Sequence, residues 1–183
     1  MKCLVKIVWI IGFLFFLGCG STRDTPQHET LKMNKNSNPV YSHTENTPVK
    51  LNEADWKKIL SPEVFAIARQ RGTERPWSSK FEKFNEIGTY YCAACGNPLF
   101  RSNTKFESGC GWPSFYEPVA KNSIIYLEDR THGMIRTEVQ CGRCQSHLGH
   151  VFEDGPAPTG LRYCINGVVL DFEHAKKLEK PAG

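Results

Sequence analysis

Apolar residues are distributed very unevenly along this chain. Residues 7–17 form a run of eleven behind Lys2 and Lys6, about half the ~20 residues that a membrane-spanning helix needs. A positive start followed by a short apolar core reads as an export signal. Residues 20–50 invert the pattern: Ser, Thr, Asn, Pro, Gln and His dominate and apolar residues are scarce. Such a stretch buries too little surface to offset its ordering entropy, so a flexible tether is expected there, with His28 and His43 solvated. From Leu51 the spacing becomes helical. Asn52 is placed to cap, Asp55 stands at the third helical position, and Leu51 can staple onto Trp56. Ser61-Pro62-Glu63 starts a second short helix with Val64, Ile67 and Ala68 on one stripe and Gly72 as its stop. After Gly88 the period changes. Residues 89–92, 124–128, 135–140, 150–152, 161–165 and 168–172 are short, aromatic or β-branched, and divided by Gly, Pro, Asn and Asp. That texture predicts antiparallel strands and turns. Residues 173–180 read as a short exposed helical turn. The folded part, residues 51–183, is long enough for one mainly β domain with one core.

Charge narrows the function classes. The formal net charge is +4, and it falls by two if a signal peptide of residues 1–18 is removed. No basic cluster interleaved with aromatics is present, so a nucleic-acid partner is not expected. Phe16-Leu17-Gly18-Cys19 resembles the lipobox of bacterial lipoproteins, in which the cysteine is lipidated, although Phe16 stands where leucine is usual. The expectation is an exported chain anchored through Cys19 to the bacterial envelope by a 19–50 tether, on the periplasmic side of the outer membrane in a Gram-negative cell. A plain signal peptide or an uncleaved anchor is the alternative.

The remaining chemistry lies in how the cysteines are grouped. Cys92-Ala-Ala-Cys95 and Cys141-Gly-Arg-Cys144 are matched pairs, each adjoined by a glycine, while Cys110 and Cys164 stand apart. Four thiolates in two such knuckles suit one tetrahedral zinc. Disulfides are the competing reading in an exported chain. A redox CxxC fits less well, because that motif normally precedes a helix.

Cys164 lies in Leu161-Arg162-Tyr163-Cys164-Ile165-Asn166. On a strand, Arg162, Cys164 and Asn166 share a face. A guanidinium there is expected to lower the thiol's pKa, as a nucleophile requires, and Asn166 to donate to a polar substrate group. Cys110 sits between glycines in a loop beside Trp112, placed to approach a second sulfur, with the indole as an apolar wall. His147 and His150 can deliver a proton. Their spacing of three puts them on opposite faces of a regular strand, so both serve one site only if the chain bends at Gly149. Glu153 and Asp154 stand near enough in sequence to orient a histidine, or else are exposed turn residues.

Taken together, Gly72-Thr-Glu-Arg-Pro76, the two CxxC pairs, Ser108-Gly-Cys-Gly-Trp-Pro-Ser-Phe115, His147-Leu-Gly-His150-Val-Phe and Arg162-Tyr-Cys-Ile-Asn166 resemble, in order and spacing, the methionine-R-sulfoxide reductase B family. The resemblance implies two antiparallel sheets set at an angle and a zinc clip joining the knuckles. It implies Cys164 as nucleophile, Cys110 as resolving cysteine and Trp112 as the methyl-pocket wall. His147, His150, Arg162 and Asn166 then surround the sulfoxide oxygen. Its partners would be oxidised-methionine proteins and, for an exported member, an exported thioredoxin-like reductant. Two positions depart from the family: Gly167 where many members have serine, and Trp77 where phenylalanine is common. A zinc-ribbon-like peptide-binding module without redox turnover is the alternative function.

Overall fold

A computed structural model describes residues 38–176. The apolar run, Cys19 and His28 lie outside the described residues. Two helices come first. In α1, Glu53–Ile59, the Asn52 side chain accepts the Asp55 amide, acids occupy the first turn and Lys57 and Lys58 the last. In α2, Pro62–Ala68, Ser61 caps the Val64 amide and Val64, Ile67 and Ala68 are buried. The second helix ends before Gly72. Arg71 takes the left-handed conformation (φ 57°), and its guanidinium pairs with Glu138.

Nine strands follow: β1 Gly88–Cys92, β2 Pro98–Arg101, β3 Lys105–Phe106, β4 Ser114–Phe115, β5 Ile124–Asp129, β6 Arg136–Cys141, β7 His147–Phe152, β8 Arg162–Ile165 and β9 Leu170–His174. They form two antiparallel sheets, ordered β2-β1-β9 and β3-β4-β8-β7-β6-β5. The fold is mainly β with short N-terminal helices, as expected. Aromatic packing joins the sheets: Phe100 of β2 stacks on Phe115 of β4 at 4.4 Å, and Tyr90 of β1 meets Phe115 edge-on at 4.9 Å.

Several expectations need correcting. Glu173 and His174 extend β9, paired with Thr89 and Gly88, and do not form a helical turn; residues 177–180 of that expected turn lie outside the described residues. Residues 167–169 are a 3-10 turn ahead of that strand. The chain is also ordered well before Leu51. Val40 and Val49 pack on the core, the Asn38 side chain donates to the Ala94 carbonyl at 2.9 Å, and the Ser42 amide to the Cys95 carbonyl at 3.0 Å. His43 is no solvated bystander: it stacks on Tyr91 at 3.7 Å and lies 2.9 Å from Glu173. The fastener is buried Arg143 of the second knuckle, which donates to the carbonyls of Val40, Thr47 and Cys95. Polar backbone pairing thus orders a segment whose apolar content is low.

Gly167 explains one departure from the family. A Cβ there would lie 1.8 Å from the Ser79 hydroxyl oxygen, so Ser79 occupies the space a serine at 167 would need. Gly167→Ser is expected to destabilise by about 1–3 kcal/mol through overpacking, with recovery in the Gly167→Ser/Ser79→Gly double variant. Thermal melts of the parent, Gly167→Ser, Ser79→Gly and the double variant check this.

Candidate active site

The two knuckles are the turns between β1 and β2 and between β6 and β7, one from each sheet. They bring Cys92, Cys95, Cys141 and Cys144 together, all buried, with ligand atoms within 4.8 Å of one another. Cys92 to Cys144 is 3.7 Å and Cys95 to Cys141 is 3.6 Å between sulfurs. Thiolates ~2.3 Å from a tetrahedral ion lie about 3.8 Å apart, so the cluster fits a metal of that kind. The neighbouring thiols, then burial, push Cys92 up, and burial raises Cys141. Hydrogen bonds from the same thiols hold Cys144 well down, so a cation that binds here displaces the protons of Cys92 and Cys141.

The second pair of sulfurs is elsewhere. Cys110, on the loop between β3 and β4, lies with its Sγ 3.5 Å from the Cys164 Sγ of β8, and both residues are half-buried. Strand register builds the surroundings. Cys164 pairs with Ser114 of β4 on one side and His150 of β7 on the other, and His150 pairs with Glu138 of β6. Directly opposed residues share a face, so Ser114, Cys164, His150 and Glu138 form one row.

His147 joins them because β7 slips. Gln140 pairs with His147 but Val139 with Gly149, leaving Leu148 as an extra residue. This bulge brings the two imidazoles to 5.6 Å between ring centres. Gly149 lets β7 and β8 approach, since a Cβ there would meet the Cys164 carbonyl oxygen at 2.0 Å.

Carboxylates missed from the sequence hold both rings. His147 Nδ1 is 2.7 Å from Glu138, and His150 Nε2 is 2.7 Å from Asp129. Burial lowers His147 and so favours its neutral form. Burial also raises Glu138, but Gln140, His147 and Arg71 outweigh it and keep that carboxyl below its usual value. The Thr131 hydroxyl and amide, then His150, hold Asp129 well below the carboxylate range. An ionised carboxylate only accepts, so the nitrogens facing Glu138 and Asp129 carry hydrogen.

Three expectations about this site change. Arg162 is on the Cys164 face, but its fork is bound bidentately to Asp154 at 2.8 Å and lies over the Phe152 ring. Burial, then the charge on Cys110, push the Cys164 thiol up to about 12 despite that guanidinium. The first proton instead leaves Cys110: burial raises it, yet hydrogen bonding to Ser108, Ser114 and Trp112 brings it to about 7. The expected depression of Cys164 is therefore overridden in the reduced pair. Asn166 also serves differently. It is buried, its oxygen accepts from Thr73 and the Glu74 amide, and its nitrogen donates to the Leu148 carbonyl. It ties the 72–76 segment to β7. Asp154 holds Arg162 and no histidine. Trp112, half-buried, donates its indole N–H to the Glu74 carbonyl at 3.3 Å, and the Glu74 carboxylate caps the Gly167 and Val168 amides.

A half-exposed dithiol beside carboxylate-held histidines, with a separate four-thiol cluster clamping two sheets, describes a thiol-based redox protein. Residues 60–174 match the SelR domain, and the chain belongs to that family. It is similar to a peptide methionine sulfoxide reductase MsrB of Pseudomonas syringae pv. syringae, 58% identical over 117 residues that cover 64% of this chain and 89% of the relative. The Pseudomonas putida protein of that name is 57% identical over 119 residues, covering 65% and 90%. The Agrobacterium fabrum one is 54% identical over 125 residues, covering 68% and 93%. Residues 38–50 precede the matched domain and are fastened to it by Arg143.

Proposed function

We propose that this chain is an oxidoreductase that returns methionine-R-sulfoxide in proteins and peptides to methionine. The observation that carries the reading is the 3.5 Å Cys110–Cys164 pair with His150 directly across from Cys164. Near neutrality the pair holds one proton. Cys164 passes it to Cys110 as its sulfur attacks the sulfoxide sulfur. His150, held by Asp129, is the better placed proton donor to the oxygen, because His147 is buried and favoured neutral. The oxygen moves to Cys164 as a sulfenic acid and methionine leaves. Cys110 then forms the Cys110–Cys164 disulfide, releasing water. A thioredoxin-like dithiol reduces it by exchange. Trp112 supports the methyl group, and Arg162 and Asn166 shape the polar side, the latter through the Thr73–Glu74 segment. The four-thiol cluster holds a structural zinc that takes no part in electron flow. A binding module alone would have no use for the dithiol.

The N-terminal pattern ending in Cys19 supports an exported, lipid-anchored enzyme recycled by an exported reductant. Labelling with a lipid precursor, with and without Cys19→Ala, tests the anchor. The activity is tested with resolved diastereomers of a methionine sulfoxide peptide: one methionine per reduced chain is expected from the R form. Release from the S form alone, or from neither, contradicts the reading.

A further inference from the structure

Two serines bracket the resolving cysteine, and the repair chemistry as described gives them no task. Ser108 donates its hydroxyl to Cys110 Sγ at 3.0 Å, and its oxygen accepts the Cys110 amide at 3.3 Å. The Ser114 hydroxyl lies 2.7 Å from Ser108 Oγ, 3.4 Å from Cys110 Sγ and 3.2 Å from the Trp112 carbonyl. Ser114 is almost fully buried and faces Cys164 across the β4–β8 pair. Among the described residues, no comparable hydroxyl is bonded to Cys164.

An ionised sulfur at Cys110 accepts the Ser108 proton. That leaves the Ser108 lone pairs to take the Cys110 amide and the Ser114 hydroxyl, so the bonds run from Ser114 to Ser108 to sulfur. Chains of this kind polarise one another and favour the charged acceptor.

We infer that Ser108 and Ser114 are positioning residues for the second half of the reaction, holding Cys110 as the thiolate that resolves the Cys164 sulfenic acid. The inference rests on the proposed reductase reading. In the step concerned, Cys110 first releases to solvent the proton it took from Cys164; its electron pair then forms the S–S bond and the Cys164 S–O bond breaks. The departing hydroxide takes a proton from solvent and leaves as water. Cys110 is oxidised and the sulfenic sulfur reduced, so the electrons balance within the pair. The position of Cys110 near 7 agrees with this.

The titratable and charged groups around Cys110 are Cys164 and Arg162 of β8, with Glu107 and Asp154 along the same groove. Arg162 is bound to Asp154 and interacts with both sulfurs, but the Ser108 and Ser114 hydroxyls are the strongest influences favouring the Cys110 thiolate.

Losing that support has a signature that a general loosening does not produce. A thiol returned from about 7 to about 8.5 has ~15-fold less thiolate at pH 7, but each thiolate is intrinsically ~5-fold more nucleophilic. The variant is then ~3-fold slower than the parent at pH 7 and several-fold faster above pH 9.

The test mixes reduced protein with one equivalent of the R-sulfoxide peptide and follows methionine and disulfide separately by rapid quench from pH 6 to 9.5. In Ser108→Ala one methionine per chain is still released, and the variant-to-parent ratio of disulfide rates rises through unity with pH. Ser114→Ala gives the same crossing, and Ser108→Thr, which keeps the hydroxyl, restores the parent profile. A ratio that stays flat across the range, or a threonine variant no better than alanine, overturns the serine assignment. If the parent itself releases no methionine, the reductase reading has failed instead.

Discussion

Cys164→Ser is expected to abolish methionine release, with chemical thiols as with protein reductants, a loss on the order of 10⁴-fold or more. Cys164 is the strand residue that Ser114 and His150 flank, and no other sulfur lies on that row. Serine keeps the shape but lacks a nucleophile able to accept oxygen and pass it on as water. The partner variant, Cys110→Ser, separates the half-reactions. It should release one methionine per chain and still turn over with dithiothreitol, but lose recycling by a thioredoxin-like protein. Chromatography of released methionine and a coupled reductant assay check the two. Normal recycling of Cys110→Ser would remove Cys110 from the resolving role.

Loss of the metal clip carries the second large effect. Cys95→Ser leaves three buried thiols around a site built for four ligands, between the turns that hold β1–β2 to β6–β7. Structural zinc sites are worth about 10–16 kcal/mol in small peptides, more than the ~5–15 kcal/mol of net stability of a typical domain. The variant should therefore be largely unfolded, without bound metal, by near-ultraviolet circular dichroism and metal analysis. Acid should act the same way in the parent. Neighbouring thiols raise Cys92 and burial raises Cys141 in the metal-free cluster, so protons compete well for those sulfurs as pH falls. A Cys95→Ser protein that kept both native packing and stoichiometric metal would argue against the clip.

Much of this was legible in the chain. Local signals proved sufficient for the helix caps at Asn52 and Ser61, the CxxC turns and the strand carrying Cys164, because each depends on residues a few positions apart. What escaped depends on long-range partners. Strands β2, β3 and β4 are too short to show a period. Arg71 replaces a glycine at the left-handed position because its side chain reaches Glu138 across the fold. The carboxylates that hold the histidines come from β5 and β6, whereas Glu153 and Asp154 were merely nearest in sequence. Residues 38–50 are ordered chiefly by backbone groups and one buried arginine, which composition does not register. Arg162 does share the Cys164 face and does favour its thiolate, but burial and the charge on Cys110, which outweigh it, leave no mark in the local sequence.

The most direct measurement is thiol mapping by mass spectrometry after reduced, metal-loaded protein has met one equivalent of R-sulfoxide peptide. The account predicts one methionine, one Cys110–Cys164 disulfide, and Cys92, Cys95, Cys141 and Cys144 still reduced and holding the metal. Methionine release accompanied by a disulfide among those four, with Cys110 and Cys164 left free, would contradict it.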